Sequence, residues 1–408
     1  MKLKLISVLL VLTLCIGCFA GCGGKGTDTP EETVAPAEPV QTEAPADEAE
    51  EGADEEAEES ADAAAARMRR EKYQAAYEKY DPDTVVMTVN GQEIVWREFF
   101  SWLYDIMYQL EDSYGVTDWS ELLPGLVGDP EDTSFGNYAF SYAGTNALQI
   151  AVINAKAAEL GVDLDEAQEA DLDSKMQSYY DYFGSEEEFR ERIATAFLDA
   201  DYFRVQNRAM TNYSNLFEYY YGENGADCPD EDVRNYLTDQ GYMHAKHILF
   251  STLDGERNPL PDEEIATQRA KAEEVLAKLK ACSAAELAAT FDELAAEYNE
   301  DPGQISYPGG YYFLPGEMVA EFEAAAAALN ENEISDIVES FYGYHILFCP
   351  PMNADDTVGY DADYSPYTAR LMASSALFSN IVSEWFDSAE VIPNEFFVKP
   401  DVNALFAS

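Results

Sequence analysis

Only three histidines occur in 408 residues, and all three fall in two apolar runs that share the tetrapeptide HILF. His244 and His247 lie in "YMHAKHILF" (242–250), and His345 lies in "FYGYHILFCP" (341–350). Imidazole donates, accepts or ligates through either ring nitrogen and ordinarily titrates near neutral pH. The chemistry open to these residues is therefore proton transfer, hydrogen-bond relay or metal binding. If both runs are strands, alternation puts His247 on one face with Ala245 and Leu249, and His345 on one face with Leu347 and Cys349. His244 then points away from His247. A strand-borne i, i+3 pair cannot converge readily with a third histidine on one tetrahedral ion, so no metal and no cofactor are expected. The plain alternative for either strand alone is a satisfied core histidine.

The elements that must position these side chains read as an α+β unit. "HAKHILFSTL" is a strand, "DEEIATQRAKAEEVLAKLKAC" and "SAAELAATFDELAAEYN" are helices, and "DPGQISYPGGYYFLPGEM" is loop with Gly and Pro at turn positions. "VAEFEAAAAAL" is a short helix, and "ISDIVES" and "YGYHILFCP" are closing strands. Before this unit, "VVMTVNGQEIV" reads as a hairpin turned at Asn90-Gly91, and a long amphipathic helix starts near Trp96. From Gly144 to Tyr220 the helical period dominates, with Gly followed by Asp or Ser caps at "GVDLDE" and "FGSEEE". The tail from about Pro366 returns to helical spacing.

Read together, "ELAAEYNEDPGQISYPGGYYFLPGEMVAEFEAAAAALNENEISDIVESFYGYHILF" and the preceding His-Ile-Leu strand resemble the parvulin peptidyl-prolyl cis/trans isomerases. The shared features come in order: the His-Ile-Leu strand, a helix ending in an EDPG-like turn, a Gly-rich turn, "GEMV" followed by "FE", and a last strand with Gly-Tyr-His-Ile. The resemblance covers about 239–352. It implies that His247 and His345 are the paired active-site histidines, that Asp301 stands where parvulins carry Cys or Asp, and that Ser340 is the hydroxyl residue before the second histidine. It also implies that Met318 and Phe322, completed by Phe313, form the apolar floor for a proline ring. "PGGYYF" departs from the usual Gly-Asp-Leu-Gly, and His244 has no counterpart, so His244 is taken as incidental. Phosphate reading is not expected, because "STLDGERNPLPDEE" has Arg257 as its one base among five acids.

At the N-terminus, Lys2 and Lys4 precede an apolar run from Leu5 to Ile16 and then "FAGCGGKG", which resembles a bacterial lipobox with Cys22 as the acylated residue. The run is short for a permanent membrane helix. Residues 1–21 are thus expected to be a lipoprotein signal peptide. Residues 22–66, with 15 acidic side chains and one Lys between Gly23 and Ala66, are expected to be a disordered spacer. The remaining length favours two domains: a helical one over 67–238 on which 353–408 packs back, and the parvulin-like one over 239–352. With a lipobox and "VNGQEI" in front, the architecture resembles the extracytoplasmic foldase lipoproteins of the PrsA type and the SurA-type chaperones.

A net charge of -55 excludes nucleic acid as a natural partner. The implied partners are unfolded or partly folded exported polypeptides with X-Pro bonds and, through the lipid, the outer face of the cell membrane; a homodimer is compatible. The alternative reading is a non-catalytic holdase that uses the parvulin fold as a platform. Its aromatic runs "QSYYDYF" and "FEYYYG" would then bind chains, although such runs at helical spacing are more often core.

Overall fold

The computed structural model describes residues 61–123, 134–362, 364–394 and 401–407. The expected signal peptide, Cys22 and nearly all of the expected spacer lie outside the described residues. In chain order the elements are α1 (Ala61–Tyr77), β1 (Val85–Val89), β2 (Gln92–Val95), α2 (Trp96–Tyr114), α3 (Phe135–Leu160), α4 (Glu166–Phe183), α5 (Glu186–Ala194) and α6 (Ala200–Tyr221). There follow α7 (Asp230–Gln240), β3 (Met243–Ser251), α8 (Asp262–Ala281), α9 (Leu287–Tyr298), β4 (Tyr311–Phe313), α10 (Ala320–Ala327), β5 (Glu333–Ile334), β6 (Val338–Ser340) and β7 (Gly343–Cys349). The chain closes with β8 (Thr357–Tyr360), β9 (Pro366–Thr368), α11 (Ala369–Ser388), β10 (Val391–Pro393) and α12 (Val402–Phe406). The fold class is α+β with small antiparallel sheets, as the sequence predicts.

Among the described residues two compact units result, one from within 61–147, 178–203 and 391–407, the other from within 148–177 and 204–390. In the first, Asn90 and Gly91 both take left-handed φ, 51° and 81°, the turn that Asn-Gly favours between twisted strands. Helix α2 starts at Trp96 and buries Phe99, Phe100, Leu103, Ile106, Met107 and Leu110, one stripe at helical spacing. It stops at Gly115, which is left-handed at φ 65°. Strand β10 pairs with β1. Helix α1 begins at Ala61, inside the segment expected to be spacer, because its alanines carry the highest helix propensity.

In the second unit, Asp165 and Gln168 cap each other's backbone N–H at the start of α4 (2.8 and 3.2 Å), as "GVDLDE" suggests. The sheet that carries the histidines runs β4-β3-β7-β5, with β6 on the remaining length of β7. It has two apolar faces. Ile248, Phe250, Tyr344, Ile346 and Phe348 pack on Ala272, Val275 and Leu279 of α8 and on Phe291 and Leu294 of α9. Ala245 and Leu347, on the opposite face, pack on Phe313, Phe322 and Ala326. Each large side chain buried in this way contributes roughly 1.5–3 kcal/mol of apolar transfer.

Three expectations are corrected. "ISDIVES" is two short strands, because the Ser335 hydroxyl accepts the Leu347 N–H (2.9 Å) and interrupts the ladder. The "YYF" of the predicted loop is β4, which pairs Met243, His244 and Ala245 with Phe313, Tyr312 and Tyr311. The segment after 352 adds the β8–β9 hairpin before its helix. It also meets the sheet directly, since Tyr312 shares a buried cluster with Val233 and Leu237 of α7 and with Ala369 and Ala373 of α11.

Candidate active site

Antiparallel pairing sets His247 opposite Leu347 and His345 opposite Leu249. The two histidines are thus diagonal neighbours on one face, within reach of each other. Their rings lie nearly parallel (14°), and Nδ1 faces Nδ1 at 3.0 Å. Phe322, from α10, meets both rings edge-on, with centroids 5.3 and 5.7 Å away.

Asp301 reaches the pair from the turn after α9. That turn covers the stretch of β3 edge that β4 leaves open. Asn299 Oδ1 accepts the Leu249 N–H at 2.8 Å, the Glu300 N–H donates to the Leu249 carbonyl at 2.9 Å, and the Glu300 carboxylate accepts the Ser251 N–H at 2.7 Å. Asp301 caps the short 3-10 helix Pro302–Ile305, and its Oδ1 accepts the Gly303 N–H at 3.1 Å. Its Oδ2 lies 2.9 Å from His247 Nε2 and 2.6 Å from the Tyr311 hydroxyl. On the other side, Ser340 Oγ lies 2.6 Å from His345 Nε2 and accepts the Tyr342 N–H at 3.1 Å.

These contacts have one consistent polarity. Burial pushes the Asp301 carboxyl up, but the bonds from His247 and Tyr311, with the His247 charge and the Gly303 N–H, outweigh it and hold the pKa at about 2. As a carboxylate, Asp301 only accepts, so His247 Nε2 carries a proton. Burial first, and then charge on His247, depress His345 to about 3, so its ring is neutral near pH 7. When His247 is protonated on Nε2 alone, one proton lies between the two facing Nδ1 atoms and the contacts form a chain. Ser340 donates to His345 Nε2, His345 Nδ1–H donates to His247 Nδ1, and His247 Nε2–H donates to Asp301. Burial, with the neighbouring Asp301 charge, pushes the Tyr311 phenol up, so it too is a donor.

Of the residues expected at the site, His247, Asp301, Ser340 and His345 converge in this network. Met318 and Phe322 share one apolar cluster with Phe313. Phe313 lies slightly deeper than Phe322, at 1% against 4% exposed, and packs against it with 5.7 Å between centroids. His244 is not incidental to the fold. It is buried, stacks on Tyr312 with centroids 4.0 Å apart, and bonds through Nε2 to the Gly309 carbonyl at 2.9 Å. Sequence reasoning missed Tyr311, Asn299 and Glu300. The signal for Tyr311 was the very departure of "PGGYYF" from the usual pattern. Among the described residues no group of three His, Cys, Asp or Glu could hold a metal ion.

Residues 247–349 match the family described as rotamase, the PPIC-type PPIase domain. A putative peptidyl-prolyl cis-trans isomerase, dodo, of Drosophila melanogaster is 34% identical over 124 residues, covering 30% of this chain and 68% of that protein. The chain belongs to the PPIC-type peptidyl-prolyl isomerase family. A foldase protein PrsA of Halalkalibacterium halodurans is 36% identical over 128 residues, 30% of this chain and 32% of that protein. Another foldase protein PrsA, of Oceanobacillus iheyensis, is 29% identical over 184 residues, 45% of this chain and 52% of that protein. The chain thus spans about half or less of the length of the foldases it matches. The rotamase match begins at His247 and ends at Cys349, so it encloses every residue of the hydrogen-bonded network.

Proposed function

We propose that residues 239–352 catalyse cis/trans isomerisation of Xaa-Pro bonds, and that the protein is an extracytoplasmic foldase for unfolded or partly folded exported polypeptides. The observation that carries this reading is the imidazole pair at 3.0 Å, edge-on to Phe322 and terminated by Asp301 at one end and Ser340 at the other.

Rotation about an Xaa-Pro amide faces a barrier of roughly 18–20 kcal/mol, while the isomers differ by only about 0.5–1 kcal/mol. No bond has to be made or broken, so the site needs no strong nucleophile. It must bind the twisted amide better than either planar one. Met318, half-buried, and Phe322 supply an apolar seat for the pyrrolidine ring, and low polarity there disfavours the charge-separated form that keeps an amide flat. The histidine chain fixes the wall beside that seat in one tautomeric arrangement. Both Asp301 oxygens already accept hydrogen bonds, so the carboxylate acts by holding His247 and not by attack on the substrate.

Arg257 is the one base in the loop after β3, which argues for unphosphorylated substrates. Acylation at Cys22 would tether the protein to the outer face of the cell membrane, with the acidic stretch as the spacer. No helix among the described residues is long and apolar enough to cross a membrane.

The test is isomerisation of a short Xaa-Pro peptide by the wild-type protein and by His247→Ala. The wild type should accelerate exchange, and the variant should lose about tenfold or more, in line with removal of one positioned polar group. A wild-type protein that leaves the uncatalysed rate unchanged, while still suppressing aggregation of unfolded chains, would replace this reading with the holdase one.

A further inference from the structure

We propose that Tyr311 is a positioning residue of the isomerase site, acting through Asp301 to hold the His247 ring; this rests on the isomerase reading. Three observations point to it. First, the Tyr311 hydroxyl shares one oxygen of Asp301 with His247: Oδ2 is 2.6 Å from the phenol and 2.9 Å from Nε2. A carboxylate oxygen that accepts two bonds while its partner accepts the Gly303 N–H has no free rotation, and a short O–H···O⁻ contact is among the stronger hydrogen bonds available.

Second, the ring of Tyr311 stands edge-on to His247, 5.8 Å away at 72°, while Phe322 stands edge-on to the same ring at 5.3 Å and 85°. His247 is therefore held by two aromatic neighbours, and only Tyr311 also reaches its hydrogen-bond acceptor. Tyr311 is placed by β4, whose pairing of Tyr311 with Ala245 puts it beside the strand that carries His247. Tyr307 packs on Tyr311 with centroids 5.2 Å apart.

Third, Gly303 is shaped around the same hydroxyl. Its backbone is not in the left-handed region, so no glycine is needed for conformation. A Cβ there would fall on the Tyr311 hydroxyl and lie 3.0 Å from Cζ. Two positions eight residues apart thus agree on one oxygen atom.

Losing the hydroxyl leaves Oδ2 with a single donor. The carboxylate then gains rotational freedom, Nε2–H of His247 loses its fixed partner, and the Nδ1–Nδ1 contact to His345 loses its set polarity.

The experiment compares Tyr311→Phe, Gly303→Ala, Asp301→Asn and the double variant Tyr311→Phe/Asp301→Asn with the full-length wild type. It measures peptide isomerisation and the ring nitrogen shifts of His247 in ¹⁵N-histidine-labelled protein. Tyr311→Phe should lower kcat about tenfold with KM within about twofold, as loss of a hydrogen bond to a charged group implies. It should also move the His247 shifts toward a mixture of tautomers. Gly303→Ala should do the same with every polar side chain intact. In the Asp301→Asn background Tyr311→Phe should add less than about twofold, because groups that act as a unit are non-additive.

Unchanged kcat and unchanged ring shifts in Tyr311→Phe would overturn the proposal, as would full additivity with Asp301→Asn. If Tyr311→Phe does not fold, the ring shifts of Gly303→Ala decide the matter alone. A wild type without isomerase activity would defeat the isomerase reading, and the His247 shifts would still judge the placement of its ring by Tyr311.

Discussion

Acid should destabilise this fold through one identifiable side chain, His345. Its residue is 3% exposed, and burial, with charge on His247 adding to it and Asp301 opposing, holds its pKa near 3 against an ordinary 6.5. In the unfolded chain the same ring protonates near the ordinary value. Between those limits the unfolded state binds one more proton than the native state, so this contribution is complete above about pH 6.5 and is lost as the pH falls toward about 3. The limiting slope is about 1.4 kcal/mol per pH unit, and from about pH 7.5 to about pH 5 the loss comes to about 2 kcal/mol. Many carboxylates titrate as well, so the quantity to measure is a difference. Urea denaturation of the wild type and of His345→Asn at several pH values cancels what the two share. The stability advantage of the wild type over the variant should shrink by about 2 kcal/mol across that interval. A difference that stays flat with pH would refute the picture of a buried ring kept neutral.

Three further outcomes are expected. Gly343→Ala should cost about 3 kcal/mol or more of unfolding free energy in urea denaturation, since φ is +139° and a Cβ would press on the Phe250 carbonyl and come within 2.8 Å of Thr252 N. Cys22→Ala should leave isomerase activity intact and move the protein from the membrane fraction to the soluble fraction; persistent membrane association would rule out the lipid anchor. Removing 239–352 should leave a helical protein with one cooperative thermal transition at a lowered midpoint, because Tyr312 leaves the cluster it shares with Val233, Leu237 and Ala369. A non-cooperative melt of that variant would refute the proposed division into domains.

Local pattern alone made much of this protein legible. Alternation assigned His247 and His345 to apolar strand faces, Asn90-Gly91 marked a hairpin, and "GVDLDE" marked a helix cap, because each depends on backbone preferences within a few residues. The order of motifs around Asp301, Ser340 and the FE helix identified the family before any geometry was known. Tertiary structure alone decided how those parts meet. His247 and His345 are 98 positions apart, and only the register of β3 on β7 brings their Nδ1 atoms to 3.0 Å. A shift of one residue would have turned one ring to the other face. The place of Tyr311 was likewise set at long range, by β4 adding to the edge of β3, where a Gly- and Pro-rich stretch gives no local signal for a strand. Phe313, apolar and correctly spaced, was expected to touch substrate. Packing against Phe322 and Leu347 leaves it 1% exposed, because spacing along a chain says which face a side chain takes and nothing about how many layers will cover that face.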